Sequence, residues 1–228
     1  MRELDLDERL KLAASYVRKG AVFADVGCDH GRLSIYLMQQ CAAARGYACD
    51  IREQPLEKAR QLIARKGLGE YITPVLTDGL QGMEGKGITD VIVAGIGGEV
   101  LAHVLEEAPF LREKGIRIIL QPQSKEHLLR KCLYKLGFVI EEEKTVHSGR
   151  FLYTVMVLGY EGEEKEIDDF FAYTGLLTQD DCENNREKLK RTAATLREIA
   201  DNMSHSADKA EEVAKLQKLA AEIDAVFA

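Results

Sequence analysis

Through its first 137 residues the sequence alternates short β-branched runs with helix-periodic stretches, and that alternation admits few folds. The strand candidates are "AVFADVG", "GYACDI", "ITPVLTDG", "DVIVAGIGG" and "IRIILQP". Between them lie helix candidates at 33–44, 55–66, 99–107 and 124–136. Pro55 suits a first helical turn, Ser124 an N-cap and Gly137 a stop. Apolar strands separated by helices read as βαβ units in a parallel sheet buried on both faces. "FVIEEEKTVH" and "RFLYTVMVLGY" follow, joined only by Ser148 and Gly149 or so. A parallel crossover needs roughly a dozen residues or more, so this pair is an antiparallel hairpin. The pattern predicts an α/β fold with five parallel strands closed by an antiparallel hairpin.

From about Glu163 the strand signal ends. Leu189, Thr192, Leu196, Ile199 and Met203 step by three and four, as do Val213, Leu216, Ala220, Ile223 and Phe227. The polar "SHSAD" between them reads as a turn, with Ser206 as a second N-cap. Two such stripes predict an antiparallel helical hairpin, either an exposed coiled-coil arm or a pair packed on the main domain. The expected division is therefore 1–160 and 161–228. Charge divides in the same place: of the net −7, residues 161–228 carry 9 Lys and Arg against 17 Asp and Glu, while residues 1–160 are close to neutral. The overall acidity thus says little against a polyanionic partner for the first segment.

No apolar run approaches the roughly 18 residues of a membrane span, and "MRELDLDERL" is too acidic for a leader. The five cysteines, Cys28, Cys41, Cys49, Cys132 and Cys182, form no CxxC pair and leave one over. That fits a reducing cytoplasm and argues against a zinc site or a disulfide framework. The expectation is a cytoplasmic protein with no metal and no membrane partner.

The stretch "FADVGCDHGRL" selects the ligand. Its glycines have the look of a nucleotide-binding turn, but Asp25 and Asp29 would repel a phosphate. A nucleoside triphosphate needs GxxxxGK[ST], which is absent, and a dinucleotide wants GxGxxG where this turn has Gly27, Asp29 and Gly31. S-adenosylmethionine carries no phosphate, and its sulfonium and ammonium are drawn to acids. Asp50, with Ile51 beside it, ends the second strand where an acid can hold ribose hydroxyls. Asp78, with Gly79, ends the third strand, where it can accept from an adenine amino group. "VIVAGIGG" imitates a dinucleotide fingerprint, but the next strand ends in Gln121 rather than an acid. Ala94 to Gly98 therefore reads as a side-chain-poor loop that a flat base can approach.

With these residues in view, the chain resembles the bacterial tRNA (adenine-22-N1)-methyltransferase family of class I S-adenosylmethionine-dependent methyltransferases. The resemblance lies in "LDERL", "ADVGCDHGRLSIYL", "TDGL", "VIVAGIGGEVLAHVL", "IILQPQ" and "LRKCLYKLGF", and spans essentially the whole chain. It implies a Rossmann-like domain followed by a coiled-coil domain. It also implies methylation of N1 of the adenine at position 22, in the tRNA D-arm.

On this reading Asp25, Gly27, Asp29, His30, Asp50, Ile51, Asp78, Gly79, Ala94 and Gly95 bind the cofactor. Adenine N1 is already a nucleophile, so the reaction asks mostly for in-line positioning. Asp29 and His30 are the catalytic candidates, a carboxylate there stabilising a base that becomes cationic. The RNA backbone needs cations. Arg9, Lys11, Arg18 and Lys19 are expected on the first helix, with Lys125, Arg130, Lys131 and Lys135 on the last helix of the main domain. In the acidic tail, Lys188, Lys190 and Arg191 form the one basic patch. A monomer or weak dimer is expected. Two other readings stay open: an NAD(P)-dependent oxidoreductase using "AGIGG", and a cofactor-sensing binding module whose helical hairpin recruits a partner.

Overall fold

The computed structural model describes residues 4–40, 43–205 and 207–228. Helix α1 (Glu8–Ser15) leads into strand β1 (Val22–Val26), followed by α2 (Arg32–Gln40), β2 (Arg45–Asp50), α3 (Glu53–Arg65) and β3 (Ile72–Leu76). Then come β4 (Asp90–Ile96), α4 (Gly98–Glu106), β5 (Arg117–Pro122) and α5 (Glu126–Lys135). The long strands β6 (Phe138–Ser148) and β7 (Phe151–Tyr160) form the hairpin. Among the described residues the sheet has seven strands in the order β3-β2-β1-β4-β5-β7-β6. β1 to β5 run parallel, and β7 pairs antiparallel with both β5 and β6, as the loop lengths require.

Apolar side chains cover both faces of the sheet. On one face α4 and α5 contribute Leu101, Leu105, Leu129 and Leu133 to a core with Val91 and Leu120. On the other, α1, α2 and α3 contribute Ala14, Leu37, Leu56 and Ile63 against Phe23 and Ile92. Each such buried Leu or Ile contributes about 1.5–3 kcal/mol relative to exposure. This double cover is why the strands read as continuous apolar runs rather than alternating ones.

Two boundaries differ from expectation. Pro55 sits in the first turn of α3, but α2 starts at Arg32 and its expected end, Ala44, is not helical: the Ala44 N–H donates instead to the Ala21 carbonyl at 2.9 Å. Ser124 is not the N-cap of α5. That position falls to Lys125, with φ 56° and no capping side chain. The Ser124 carbonyl accepts from the Gly98 N–H at 2.9 Å, so the β5–α5 loop is committed to the first turn of α4. A Cβ on Gly98 would lie 2.6 Å from the Lys125 carbonyl oxygen, so only glycine permits this approach.

Beyond the hairpin, α6 (Asp169–Thr174) and a 3-10 turn, neither foreseen from sequence, precede α7 (Glu183–Met203) and α8 (Ala210–Asp224). The last two helices are antiparallel: Arg186 reaches the Phe227 carbonyl, and Arg197 pairs with Asp224. Their seam departs from the expected stripe. Leu189, Ala193 and Leu196 are buried against Leu219, Ala220 and Ile223, and Ala200 is buried too, whereas Ile199 is 40 % exposed. The expected N-cap, Ser206, lies outside the described residues.

The base of the pair is packed on the sheet. Asn185 accepts from Thr145 at 2.7 Å, and Lys188 bonds Glu126 at 2.6 Å. Arg130 and Glu143 form a fully buried ion pair at 2.6 Å. Arg130 also donates to the Ala172 carbonyl, and Glu143 accepts from the Leu176 N–H. One buried charge pair thus joins α5, β6 and the start of the helical segment.

Candidate active site

The carboxyl ends of β1 to β4 open into a cavity of about 480 Å³. Parallel strands all deliver their C-termini to the same edge, which is why residues fifty positions apart converge there. Asp25, Gly27, Asp29, His30, Asp50, Ile51, Asp78, Gly79, Ala94 and Gly95 all line it. The turn after β1 is pinned to β2: the N–H groups of Gly27 and Cys28 both donate to the Cys49 carbonyl at 2.9 Å. Gly27 takes φ 74° to do so, a conformation that favours glycine.

The acids are individually oriented. Asp50 is buried, and its two oxygens accept from the backbone N–H groups of Asp29 at 3.1 Å and Arg52 at 2.9 Å. Each oxygen keeps a further lone pair for a ligand hydroxyl. Asp25 is buried beneath the turn and accepts from the Ser34 hydroxyl at 2.6 Å. Burial pushes its carboxyl up to about 6, with the Asp50 charge adding to the rise and the Ser34 bond opposing it. Asp29 adopts φ 49°, unusual for a non-glycine residue, and its carboxylate lies 2.7 Å from His30 Nδ1.

On the far side, Gln121 stands where a dinucleotide fold would carry its ribose acid. It is buried, and its Oε1 accepts from the Gly95 N–H at 3.1 Å and from Arg9 Nη1 at 2.7 Å. Arg9 lies over the Tyr153 ring, 5.6 Å from its centre. The amide therefore braces the glycine loop and leaves nothing to hold a second ribose. Four aspartates against three arginines, with no phosphate cradle between them, suit a nucleoside that carries positive charge. Among the described residues no cluster of His, Cys, Asp and Glu could hold a metal, and no helix is long and apolar enough to cross a membrane.

The expected cation footprint splits. Arg9 reaches the cavity from α1, and Lys11, half-buried on the same helix, pairs with Asp5 and Glu8. Arg18 and Lys19 lie beyond α1, at the opposite end of the sheet. Arg18 is spent on Asp90, the first residue of β4, and on the carbonyls of Thr89 and Gly115. Arg130, expected to face RNA, is instead fully buried on Glu143. Lys131 pairs with Asp169 at 2.5 Å, and Lys135 ends the helix that Lys125 begins. Sequence reasoning also passed over Arg32, Arg52, Thr77, Val100 and Val104, which line the cavity. Only their adjacency to strand ends or to the glycine loop could have signalled them.

This fold and this cavity define a class. A family described as "Methyltransferase domain" matches residues 6–156. The tRNA (adenine(22)-N(1))-methyltransferase of Bacillus subtilis is 31% identical over 226 residues, 96% of this chain and 94% of that one. The crystal structure of the B. subtilis m1A22 tRNA methyltransferase TrmK superposes with a TM-score of 0.88 at 26% identity, covering 97% of this chain and 100% of that one. A Streptococcus pneumoniae relative solved in complex with S-adenosyl-L-methionine gives 0.83 at 26% identity, covering 96% and 100%. The chain belongs to the tRNA (adenine(22)-N(1))-methyltransferase family.

Proposed function

We propose that this chain, in the cytoplasm and as a monomer or weak dimer, transfers the methyl group of S-adenosylmethionine to N1 of adenine 22 in the D-arm of tRNA. The observation that carries the proposal is the convergence of Asp25, Asp29, Asp50 and Asp78 on one cavity at the carboxyl ends of β1 to β3. When bound there, S-adenosylmethionine supplies an electrophilic methyl on a sulfonium. Residues 1–160 would form the methyl-transfer unit and 161–228 a helical unit.

In this reading Asp50 accepts the ribose hydroxyls, and Ile51, 60 % exposed, offers an apolar face to the adenine ring. Asp78 with Gly79 takes the adenine amino group. Asp25 and Gly27 face the charged amino-acid end. Ala94 and Gly95 form the wall along which the target base enters. Asp29, held on His30, gives a negative group beside a base that becomes cationic, and positioning supplies most of the rate. For the RNA, Arg9, Lys11, Lys125 and Lys131 remain as backbone contacts; Arg18, Lys19 and Arg130 do not, since they are remote or buried.

The test is direct. The protein is incubated with S-adenosylmethionine and unmodified bacterial tRNA, and the digest is searched for 1-methyladenosine by mass spectrometry. Its appearance in the D-arm, lost in Asp29→Ala and Asp50→Ala, is the expected outcome. Cofactor binding with no methylated tRNA would sink the proposal and favour a binding module.

A further inference from the structure

Resting on the tRNA reading above, we propose that the groove between α5 and α7 is a second subsite, which holds a nucleotide flanking the methylated adenine. The groove encloses about 430 Å³ and lies beside the first cavity, with Gln123 lining both. The two loops between the cavities touch: a Cβ on Gly97 would lie 3.3 Å from Ser124 Oγ.

Its chemistry suits one unit of a polyanion. Lys125, Arg130, Lys188 and Arg191 line it against a single carboxylate, Glu126. That carboxylate is already held by Lys188 at 2.6 Å, by Arg130 and by Thr154. The charges of Lys125 and Arg191 are shared with Glu99 and Glu187 in exposed pairs. Such pairs hold weakly, so these two cations can turn to a phosphate.

Beside the cations, the His127 and Tyr173 rings stack on each other, 4.3 Å between centroids and 7° from parallel. Burial pushes the His127 imidazole below its ordinary range, aided by the Lys131 and Arg130 charges, so it enters as a neutral ring. Leu152 and Ile199 complete an apolar wall. Parallel rings beside a row of cations are what a stacked base and its phosphate require.

Chemistry on N1 gives this subsite a purpose. The Watson–Crick edge is exposed only when the base leaves the helical stack, and its neighbour then loses a stacking partner. A groove one loop away from the reacting base can restore that partner and hold the opened strand. The basic patch on α7 thereby acquires a role in an otherwise acidic tail: Lys188 and Arg191 face the groove.

The experiment uses the full chain, unmodified bacterial tRNA and the variants His127→Ala, His127→Phe and Arg191→Glu. Direct tRNA binding, tRNA KM and kcat, and S-adenosylmethionine affinity are all measured. His127→Ala and Arg191→Glu are expected to weaken tRNA binding and raise its KM by about tenfold, while kcat and cofactor affinity hold. His127→Phe, which keeps the stack, is expected to restore KM. Unchanged tRNA binding and KM in both weakened variants would overturn the subsite and leave the groove to some other occupant. A wild-type protein that binds tRNA without methylating it would remove the methyltransferase reading while the binding comparison still judges the groove. Absence of tRNA binding would overturn both.

Discussion

The two cavities open at the same end of one sheet and touch through one pair of loops, yet their linings carry opposite charge. The first has four aspartates and three arginines, and its two buried acids are held by backbone N–H groups (Asp50) and a serine hydroxyl (Asp25). The second has four cations and one carboxylate, beside two stacked rings. A small cationic nucleoside and a polyanion can thus be drawn to neighbouring sites with little competition. The difference also shows that lining a cavity and acting in it are separate matters. Arg130 lines the second, but its charge is spent on Glu143.

That last point yields the largest expected effect. Arg130→Met leaves Glu143 buried without its partner and should cost about 3–5 kcal/mol in urea unfolding. The double variant with Glu143→Leu should recover most of the loss. A cost under about 1 kcal/mol would mean the pair is not the buried link between α5 and the helical segment.

Next comes Asp50→Ala, which removes two backbone bonds and the proposed ribose contact. Cofactor affinity, read by calorimetry, should fall about 100-fold, or roughly 3 kcal/mol, with tRNA affinity within about twofold. An equal loss for both ligands would break the separation of the cavities.

The Asp25 carboxyl offers a pH test of about tenfold. Its pKa, raised by burial to about 6 from the unfolded 3.8, makes the folded state the better proton binder between these values. Its share of stability therefore rises as pH falls from 6 toward 4, since protonation relieves a buried charge. Affinity for a cationic ligand runs the other way and should weaken by up to about tenfold per pH unit below 6. Asp25→Asn should flatten this dependence in calorimetric titrations. A wild-type affinity that stays level from pH 7 to 5 would remove Asp25 from the charged end of the cofactor.

The smallest effect is also the most specific. Lys125→Ala should lower the slope of log K for tRNA against log salt by about 1, whereas Lys19→Ala, at the opposite end of the sheet, should leave it unchanged. Equal slopes for both would mean that the groove contributes no phosphate contact.

Much of this architecture was legible beforehand. Hydrophobic period and turn length are local, so the five parallel strands and the hairpin could be read from short windows. The parallel rule then sent Asp25, Asp50 and Asp78 to one edge without any contact having been seen. The tail was harder. Stepping by three and four placed Thr192 and Ile199 in the seam, but two straight helices in close contact bury Ala193 and Ala200, one position on. Both sets keep the same seven-residue repeat through Leu189 and Leu196, so only packing against the partner helix decides which of two neighbouring positions fills the seam between them.

By itself the sequence determined what depends on neighbours along the chain: the element types, the acid-lined turn and the edge where a ligand must bind. Only the tertiary structure decided which charges are free. Arg9 and Arg18 are nine residues apart, yet one reaches the cavity and the other clamps β4 at the opposite end of the sheet. Arg130 and Lys131 are adjacent, yet one is sealed in the core and the other is half exposed on Asp169. The groove joins α5 to α7 across 62 residues of sequence, through the Glu126–Lys188 bond. A side chain's charge is written in its own letter, but its partner and its burial depend on distances in space, which no local pattern encodes.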